Sequence, residues 1–116
     1  MKKLYCAILV SLVGTLFSEA QDLKARLVEH RKIWDQAPHN AFTDLIRFKG
    51  KWFCAFREGA GHVSPDGFVR VLTTENGLWW EPAARLKMDG LDLRDPKLSI
   101  SPDGKNLVVI AAAAAR

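Results

Sequence analysis

The chain has 116 residues and a formal net charge of +4, so it is long enough for one small domain and only mildly basic. The charges are interspersed and form no basic block of five or more, which gives little support to nucleic-acid or membrane-surface binding. The three histidines are scattered, and Cys54 is the one cysteine of residues 21–116, since the other, Cys6, lies near the N-terminus. Residues 21–116 therefore offer neither metal-ligand spacing nor a disulfide framework. We therefore expect no metal and no cofactor, and we expect Cys54 to be a small buried hydrophobe.

The N-terminus carries the three regions of a secretion signal in the expected order. Met1-Lys2-Lys3 is positively charged, residues 4–17 are apolar, and Ser18-Glu19-Ala20 offers small residues at the positions that a signal peptidase reads. The apolar run is shorter than the roughly 20 residues that cross a bilayer, with an uncleaved membrane anchor as the alternative. We expect cleavage before Gln21, a secreted or periplasmic protein, and no membrane association after cleavage.

From residue 21 onward the pattern indicates short β-strands without an amphipathic helix. A loose alternation near the end of residues 21–35 predicts a first strand, which Pro38-His39-Asn40 breaks. Turns are expected at Gly, Asn-Gly and Pro-Asp-Gly sequences, because these residues supply turn geometry. The remaining predicted strands cover residues 42–48, 52–57, 68–73, 83–86, 95–101 and 106–115.

The second half of the chain repeats the pattern of the first. Asp44, followed by Gly50-Lys51 and an apolar strand, matches Asp95, followed by Gly104-Lys105 and an apolar strand. Four short strands in a unit of about 40–50 residues are typical of a β-propeller blade. The alanines at 111–115 favour a helix by propensity, but they continue a strand pattern, and small residues suit the inner strand of a blade. The sequence therefore predicts an all-β chain of the β-propeller class.

A propeller typically contains four to eight blades, whereas residues 21–116 supply about one and a half. We therefore expect residues 1–20 to be a signal peptide and residues 21–116 to be an N-terminal fragment of the propeller domain. The alternative for this chain alone is an inactive fragment that aggregates through its exposed strand edges.

The turn around Gly77 belongs to a recognisable motif. Thr73–Trp80 resembles the Asp-box, Ser/Thr-x-Asp-x-Gly-x-Thr-Trp, of sialidase-like propellers, with Glu75 in the place of the Asp and Trp79 in the place of the second Thr. In that family the box is a structural hairpin in which an acidic side chain accepts backbone N–H bonds and a Trp packs beneath the turn. The resemblance therefore implies a structural turn that lies away from any active site.

Three further segments follow the order of the same family. Ala55–Gly59 resembles the strand end that leads to the first Asp-box, and Arg94-Asp95-Pro96 resembles the dipeptide that opens the next blade. Residues 39–48 look like the start of a secreted sialidase-like subgroup. The resemblance covers roughly residues 33–110 and implies a six-bladed, secreted, sialidase-like propeller.

The resemblance implies a glycoside hydrolase, exo-sialidase-like, whose substrate is a glycan or glycoconjugate. In that family three arginines bind the sialic-acid carboxylate, a Tyr–Glu pair provides the nucleophile, and an Asp provides acid/base catalysis. This sequence departs from the pattern, because residues 41–45 lack the first arginine and the single tyrosine, Tyr5, lies in the predicted signal. The alternative is a non-catalytic carbohydrate-binding or interaction propeller.

The resemblance makes Asp66 and His62, in the loop after Gly59, the candidates for catalysis. Asp66 is the single Asp of the loop that supplies the acid/base Asp in sialidases, although it also fits the turn residue of Ser64–Gly67, a tetrapeptide that recurs at 101–104. His62 fits a general acid/base or a substrate contact, or a solvated loop histidine.

The candidates for substrate binding lie at strand ends and at matching blade positions. Arg57 and Glu58 end a strand at a loop, although a salt-bridged pair that holds the loop is equally consistent. Asp44 and Arg94-Asp95 recur in the two repeats, where an Asp either faces an axial cleft or accepts backbone N–H bonds of a neighbouring strand. His39 begins a strand and is a candidate for the rim of the cleft.

Overall fold

A computed structural model describes residues 24–115, and every regular element in that range is a β-strand. The chain divides into two compact units between His30 and Arg31, and all the strands lie in the second. The predicted signal peptide lies outside the described residues, and within these residues no helix could cross a membrane. The strands are His39–Phe48 (β1), Lys51–Gly59 (β2), Phe68–Thr74 (β3), Glu81–Leu86 (β4), Leu91–Ile100 (β5) and Leu107–Ala115 (β6).

The strands form two antiparallel sheets. One sheet has four strands in the order β1-β2-β3-β4, and the other pairs β5 with β6. Each strand pairs with its neighbour in sequence, so the four-stranded sheet is a meander and the two-stranded sheet is a hairpin. The prediction of an all-β chain is confirmed, and each strand predicted between residues 42 and 115 is present with small shifts at its ends.

The strand predicted near the end of residues 21–35 is wrong. Residues 24–35 form no regular secondary structure, and β1 begins at His39, inside the segment predicted to break the pattern. Ile33 and Trp34 instead pack on an apolar cluster of the four-stranded sheet. Their spacing therefore reflects packing on a sheet face rather than a ladder of strand hydrogen bonds.

A two-residue turn sets the register of the first hairpin. Phe48 pairs with Lys51, and the two residues between them, Lys49 and Gly50, have φ angles of 46° and 83°. Positive φ at both central positions belongs to the tight turn that matches the twist of paired strands. Because the turn sets this register, it also determines which residues at the C-terminal end of β2 pair with the start of β1.

Both sheets contain the same irregularity in their first strand. The pairing shifts register within residues 41–44 of β1 and within residues 94–97 of β5. The second residue of each bulge has a positive φ, 61° at Phe42 and 48° at Asp95. The two hairpins therefore repeat one backbone geometry, and a bulky residue at positive φ makes Phe42 the more strained of the pair.

This shared bulge corrects the alignment of the internal repeat. The sequence pairs Asp44 with Asp95, whereas the bulges align Asp44 with Lys97 and Phe42 with Asp95. The turns explain the difference, because two residues join β1 to β2 and six residues, 101–106, join β5 to β6. The alignment of the two repeats by their acidic residues and turn glycines is therefore wrong, because the two turns differ in length.

Separate apolar clusters cover the two faces of the four-stranded sheet. Ala55, Val69 and Val71 pack with Leu93 of β5 on one face. Side chains alternate along a strand, so neighbouring residues of β2 and β3 face the other way. That second cluster is Cys54, Phe56 and Leu72, with Ile33, Trp34 and Trp80 against it.

Cys54 behaves as the sequence predicts. Its side chain is buried, and burial, with a smaller effect of Asp44, raises the pKa of its thiol. A thiol held neutral in an apolar cluster packs as a small hydrophobe.

Candidate functional site

One end of the two sheets brings several candidate residues together. Both β1 and β5 begin there, β2 ends there, and the loop of residues 60–67 connects that end of β2 to β3. The candidates with contacts at this end are His39, Arg57, His62, Asp66 and Arg94.

Arg57 is the centre of the hydrogen bonds at this end. Its side chain is fully buried. One guanidinium nitrogen, Nη1, donates to the carbonyl of Gly61 at 2.8 Å and lies 3.5 Å from Nδ1 of His39. The other, Nη2, donates to the hydroxyl and carbonyl oxygens of Ser64 at 3.0 and 3.3 Å. Arg57 therefore fastens the loop to the end of β2, and its guanidinium is committed to protein atoms rather than to a ligand.

Asp92, which the sequence analysis missed, is the ionic partner of Arg57. The Nε of Arg57 donates to Oδ1 of Asp92 at 2.8 Å, and both side chains are completely buried. The backbone of Gly67 packs directly on this pair, since a Cβ there would lie 1.9 Å from Oδ1 of Asp92 and 2.7 Å from Nε of Arg57. The amide of Leu93 also donates to the Gly67 carbonyl at 3.0 Å. The pair therefore links the two sheets and requires glycine above it.

Glu58 points to the opposite face from Arg57. Its carboxylate accepts hydrogen bonds from Nε1 of Trp34 at 3.0 Å and from Nε of Arg70. The Arg70 guanidinium also lies 5.1 Å above the Trp34 ring. Arg57 and Glu58 therefore do not form the salt-bridged pair that was left open as an alternative, because alternating strand residues face opposite sides and each finds its own partner.

Asp66 closes the loop on itself. Both oxygens of its carboxylate accept the backbone N–H of Ala60, at 3.0 and 3.2 Å. The Ser64 hydroxyl and the Ala60 amide hold the pKa of the Asp66 carboxyl below its usual range. The side chain is exposed and ionised at neutral pH. Asp66 therefore has a structural role in closing the loop, and its catalytic role stays a prediction.

A partly exposed group of three rings and one cation lies beside the buried pair. The His62 ring is 5.4 Å from the His39 ring and 5.6 Å from the Phe42 ring, between centroids. The guanidinium carbon of Arg94 lies 5.7 Å from the Phe42 ring centroid. We call Phe42, His39, His62 and Arg94 the Phe42 cluster. Phe42 was not among the residues selected from the sequence, and 37% of its surface is exposed.

Arg94 carries a buried donor within this cluster. Its Nε is buried and has no hydrogen-bond partner within residues 24–115. Buried donors in folded proteins are nearly always bonded, so the unsatisfied Nε of Arg94 is an exception among the polar atoms at this end.

Asp44 and Asp95 do not join the cluster through any hydrogen bond that the structure shows. Asp44 accepts the backbone N–H of Leu98 at 2.7 Å, which is the structural alternative that the sequence analysis left open. Asp95 is exposed at the positive-φ position of the second bulge, where aspartate is tolerated better than a bulky residue. The structure therefore gives each of the two aspartates a role in the backbone: Asp44 accepts an amide hydrogen bond, and Asp95 occupies a position of positive φ.

The Asp-box-like turn lies at the other end of the four-stranded sheet. Asn76, not Glu75, accepts the backbone N–H groups of Leu78 and Trp79, at 2.8 and 3.2 Å. Glu75 instead forms an exposed ion pair with Lys51 at 3.1 Å. The assignment of Glu75 to the place of the Asp is therefore wrong by one residue, because the amide side chain of Asn76 supplies the same acceptor.

No group of three or more potential ligands among residues 24–115 is arranged to hold a metal ion. No protein-family model, curated protein or solved structure matches the chain.

Proposed function

We propose that this chain forms part of a secreted, sialidase-like β-propeller that acts on glycans, with exo-sialidase-like glycoside hydrolysis as its reaction. The repeated bulged hairpin supports this most, because two successive hairpins share one backbone geometry and β5 packs against β1, β2 and β3. Successive sheets of a propeller pack on each other in this sequential way. A propeller has four to eight sheets, so the proposal requires further repeats of the same kind.

The Phe42 cluster is the substrate-binding part of this proposal. An exposed aromatic ring offers a face to the C–H groups of a sugar, and the neighbouring imidazoles offer hydrogen bonds to its hydroxyls. The half-buried Arg94 supplies a positive charge beside the Phe42 ring. A guanidinium fork suits a carboxylate, so an acidic sugar fits this end.

Catalysis is proposed for Asp66 and His62, two residues of the loop of residues 60–67, of which His62 also belongs to the Phe42 cluster. Glycosidases use two carboxyl groups, one of them protonated to donate to the leaving group. Asp66 is ionised at neutral pH because its pKa is lowered, so its role in a reaction is that of a base. The general acid in this proposal is His62.

The second candidate is a non-catalytic carbohydrate-binding propeller. The lowered pKa of Asp66 favours it, since a general acid of a glycosidase has a raised pKa. Two further carboxylates near this end, Glu58 and Asp92, are buried in ion pairs with arginines. Neither of them is available to a sugar without breaking a pair.

A panel of sialosides and other glycosides tests the two candidates. The secreted gene product is incubated with each glycoside, and release of sugar is measured beside binding. Hydrolysis of a sialoside that Asp66→Asn abolishes, with binding retained, supports the enzyme. Binding without release of any sugar contradicts the hydrolase and supports the binding protein, and neither binding nor release contradicts both.

A further inference from the structure

Two consecutive tryptophans in the turn after β3 face opposite ways. Trp80 packs against the apolar cluster of the sheet, and its Nε1 donates to the carbonyl of Gly77 at 3.2 Å. Trp79 is 78% exposed, although its own backbone N–H is bonded to Asn76. The turn is further held by a bond of 3.1 Å from the Gly77 amide to the Thr74 hydroxyl. A well-bonded turn therefore holds a large aromatic side chain in solvent, and tryptophan is a residue type enriched at binding interfaces.

Trp79 borders an open depression in the sheet end. The depression has a volume of about 310 Å³. This is at the lower end of the range for small-molecule sites, and it suits a ligand of one or two sugar rings. Apart from Trp79 its lining is polar and includes Lys51, Thr73, Glu75 and Glu81. One aromatic face beside several hydrogen-bonding groups matches the chemistry of a sugar, which has an apolar C–H face and a rim of hydroxyls.

The charges of this lining select against an acidic ligand. Two carboxylates, Glu75 and Glu81, face one ammonium, and that ammonium of Lys51 already lies 3.1 Å from Glu75. A carboxylate or phosphate ligand would meet net negative charge there, whereas neutral hydroxyls find both donors and acceptors. We propose that Trp79 and this depression form a binding site for a neutral sugar residue of a glycan.

This site is separate from the Phe42 cluster. It lies where β2 begins, at Lys51, whereas the cluster lies where β2 ends, at Gly59. The two ends are about 26 Å apart along the strand, at 3.3 Å per residue. The second site therefore holds a different residue of a glycan, or a different chain, and it needs no catalytic activity.

Titration of the gene product with neutral methyl glycosides tests this proposal. Methyl galactoside and methyl N-acetylglucosaminide are the probes, methyl glucuronide is the acidic comparison, and calorimetry and saturation-transfer NMR are the readouts. We expect binding of at least one neutral glycoside and weaker binding of the glucuronide. Trp79→Ala is expected to weaken the neutral binding about tenfold or more, as for truncation of an aromatic anchor.

Leu78→Ala is the matched control. Leu78 is also exposed on the turn, at 50%, but it does not line the depression, so the parent affinity is expected. No binding of either neutral glycoside would overturn the proposal, and so would equal affinity in the parent and Trp79→Ala. Loss of neutral-sugar binding in Arg94→Ala but not in Trp79→Ala would overturn this second site while supporting the Phe42 cluster.

Discussion

The two bulged hairpins share a backbone and differ at the strand ends that hold the candidate site. In β2 the residues opposite the start of β1 are Arg57 and Glu58, and at the equivalent positions of β6 they are Ala112 and Ala113. Both hairpins keep the register shift and the positive φ, so the bulge does not depend on those side chains. The bulged hairpin is therefore repeated in the fold, whereas the charged strand end occurs only in the first hairpin, β1–β2, of the two.

The first strand of each hairpin, β1 or β5, contacts the other hairpin through an aspartate, and the two aspartates stand at different positions of the repeat. Asp92 of β5 is the equivalent of His39 in β1, and it supplies the carboxylate that Arg57 binds. Asp44 of β1 is the equivalent of Lys97 in β5, and it accepts the Leu98 amide. Each copy therefore contributes one carboxylate to the junction with the other, and substitutions at these positions test the comparison.

Breaking the buried ion pair is expected to have the largest effect. Arg57→Met leaves Asp92 charged and buried, which costs about 3–5 kcal/mol of unfolding free energy. Lys51→Met breaks the exposed pair with Glu75 at the other end of the same strand and is expected to cost at most about 1 kcal/mol. Urea unfolding, followed by circular dichroism, measures both.

A double variant keeps this prediction testable if Arg57→Met does not fold. Arg57→Met with Asp92→Leu removes both charges, so we expect it to recover a large part of the loss, although the bonds to Gly61 and Ser64 stay broken. A double variant that is less stable than the single one would show that the pair is not the source of the effect.

Removing the Asp44 carboxylate is expected to have an intermediate effect. Asp44→Ala leaves the Leu98 amide without its acceptor, which costs about 1–3 kcal/mol. Lys97→Ala changes the equivalent, exposed residue of the second hairpin and is expected to stay within about 0.5 kcal/mol of the parent. Equal losses in the two variants would contradict the unlike roles assigned to these positions.

Substitution of the aspartate in the first of the two Ser-Pro-Asp-Gly segments, Asp66, is expected to have the smallest effect on stability, and this effect depends on pH. The pKa of Asp66 is lowered in the folded protein, so its stabilisation is present above the ordinary pKa of about 3.9 and is lost as pH falls through the lower folded value. As the pH falls through this acidic range, the unfolding free energy of Asp66→Asn should therefore decrease less than that of the parent. Urea unfolding between pH 5 and about pH 2 measures the difference.

Asp103→Asn is the comparison for that variant. Asp103 bonds within its own turn, to the Ser101 hydroxyl and the Lys105 amide, whereas Asp66 reaches across its loop to Ala60. At neutral pH we expect Asp66→Asn, but not Asp103→Asn, to speed proteolytic cleavage within residues 60–67. Equal cleavage rates would show that Asp66 does not close the loop.

Local patterns predicted the strands well. Turn residues and alternation located β1 to β6, and the alanines of 111–115 extend β6 against their helix propensity, because pairing with β5 decides their conformation. The strand predicted before β1 failed because packing on a sheet face and pairing in a sheet leave similar apolar spacing. The repeat register failed because turn lengths differ between the hairpins.

The site was predictable only in part. His39, His62 and Arg94 were selected as candidates. The structure places His62 and Arg94 against the Phe42 ring and His39 against the His62 ring. Phe42 was missed because nothing in an apolar strand signals a positive φ. Asp92 was missed because its partner is 35 positions away, although an acidic residue between Leu91 and Leu93 is the kind of signal that indicates a buried ion pair.

The most direct test of the proposed glycan site compares two arginines that each lie over an aromatic ring. Arg94 lies 5.7 Å from the Phe42 ring centroid and Arg47 lies 5.8 Å from that of Trp52, near the other end of β1. The affinity of the gene product for a methyl sialoside is measured by calorimetry for the parent and both alanine variants. We expect Arg94→Ala to weaken binding about tenfold or more and Arg47→Ala to bind as the parent does. Unchanged affinity in Arg94→Ala, or equal losses in both variants, would contradict the assignment of substrate binding to the Phe42 cluster.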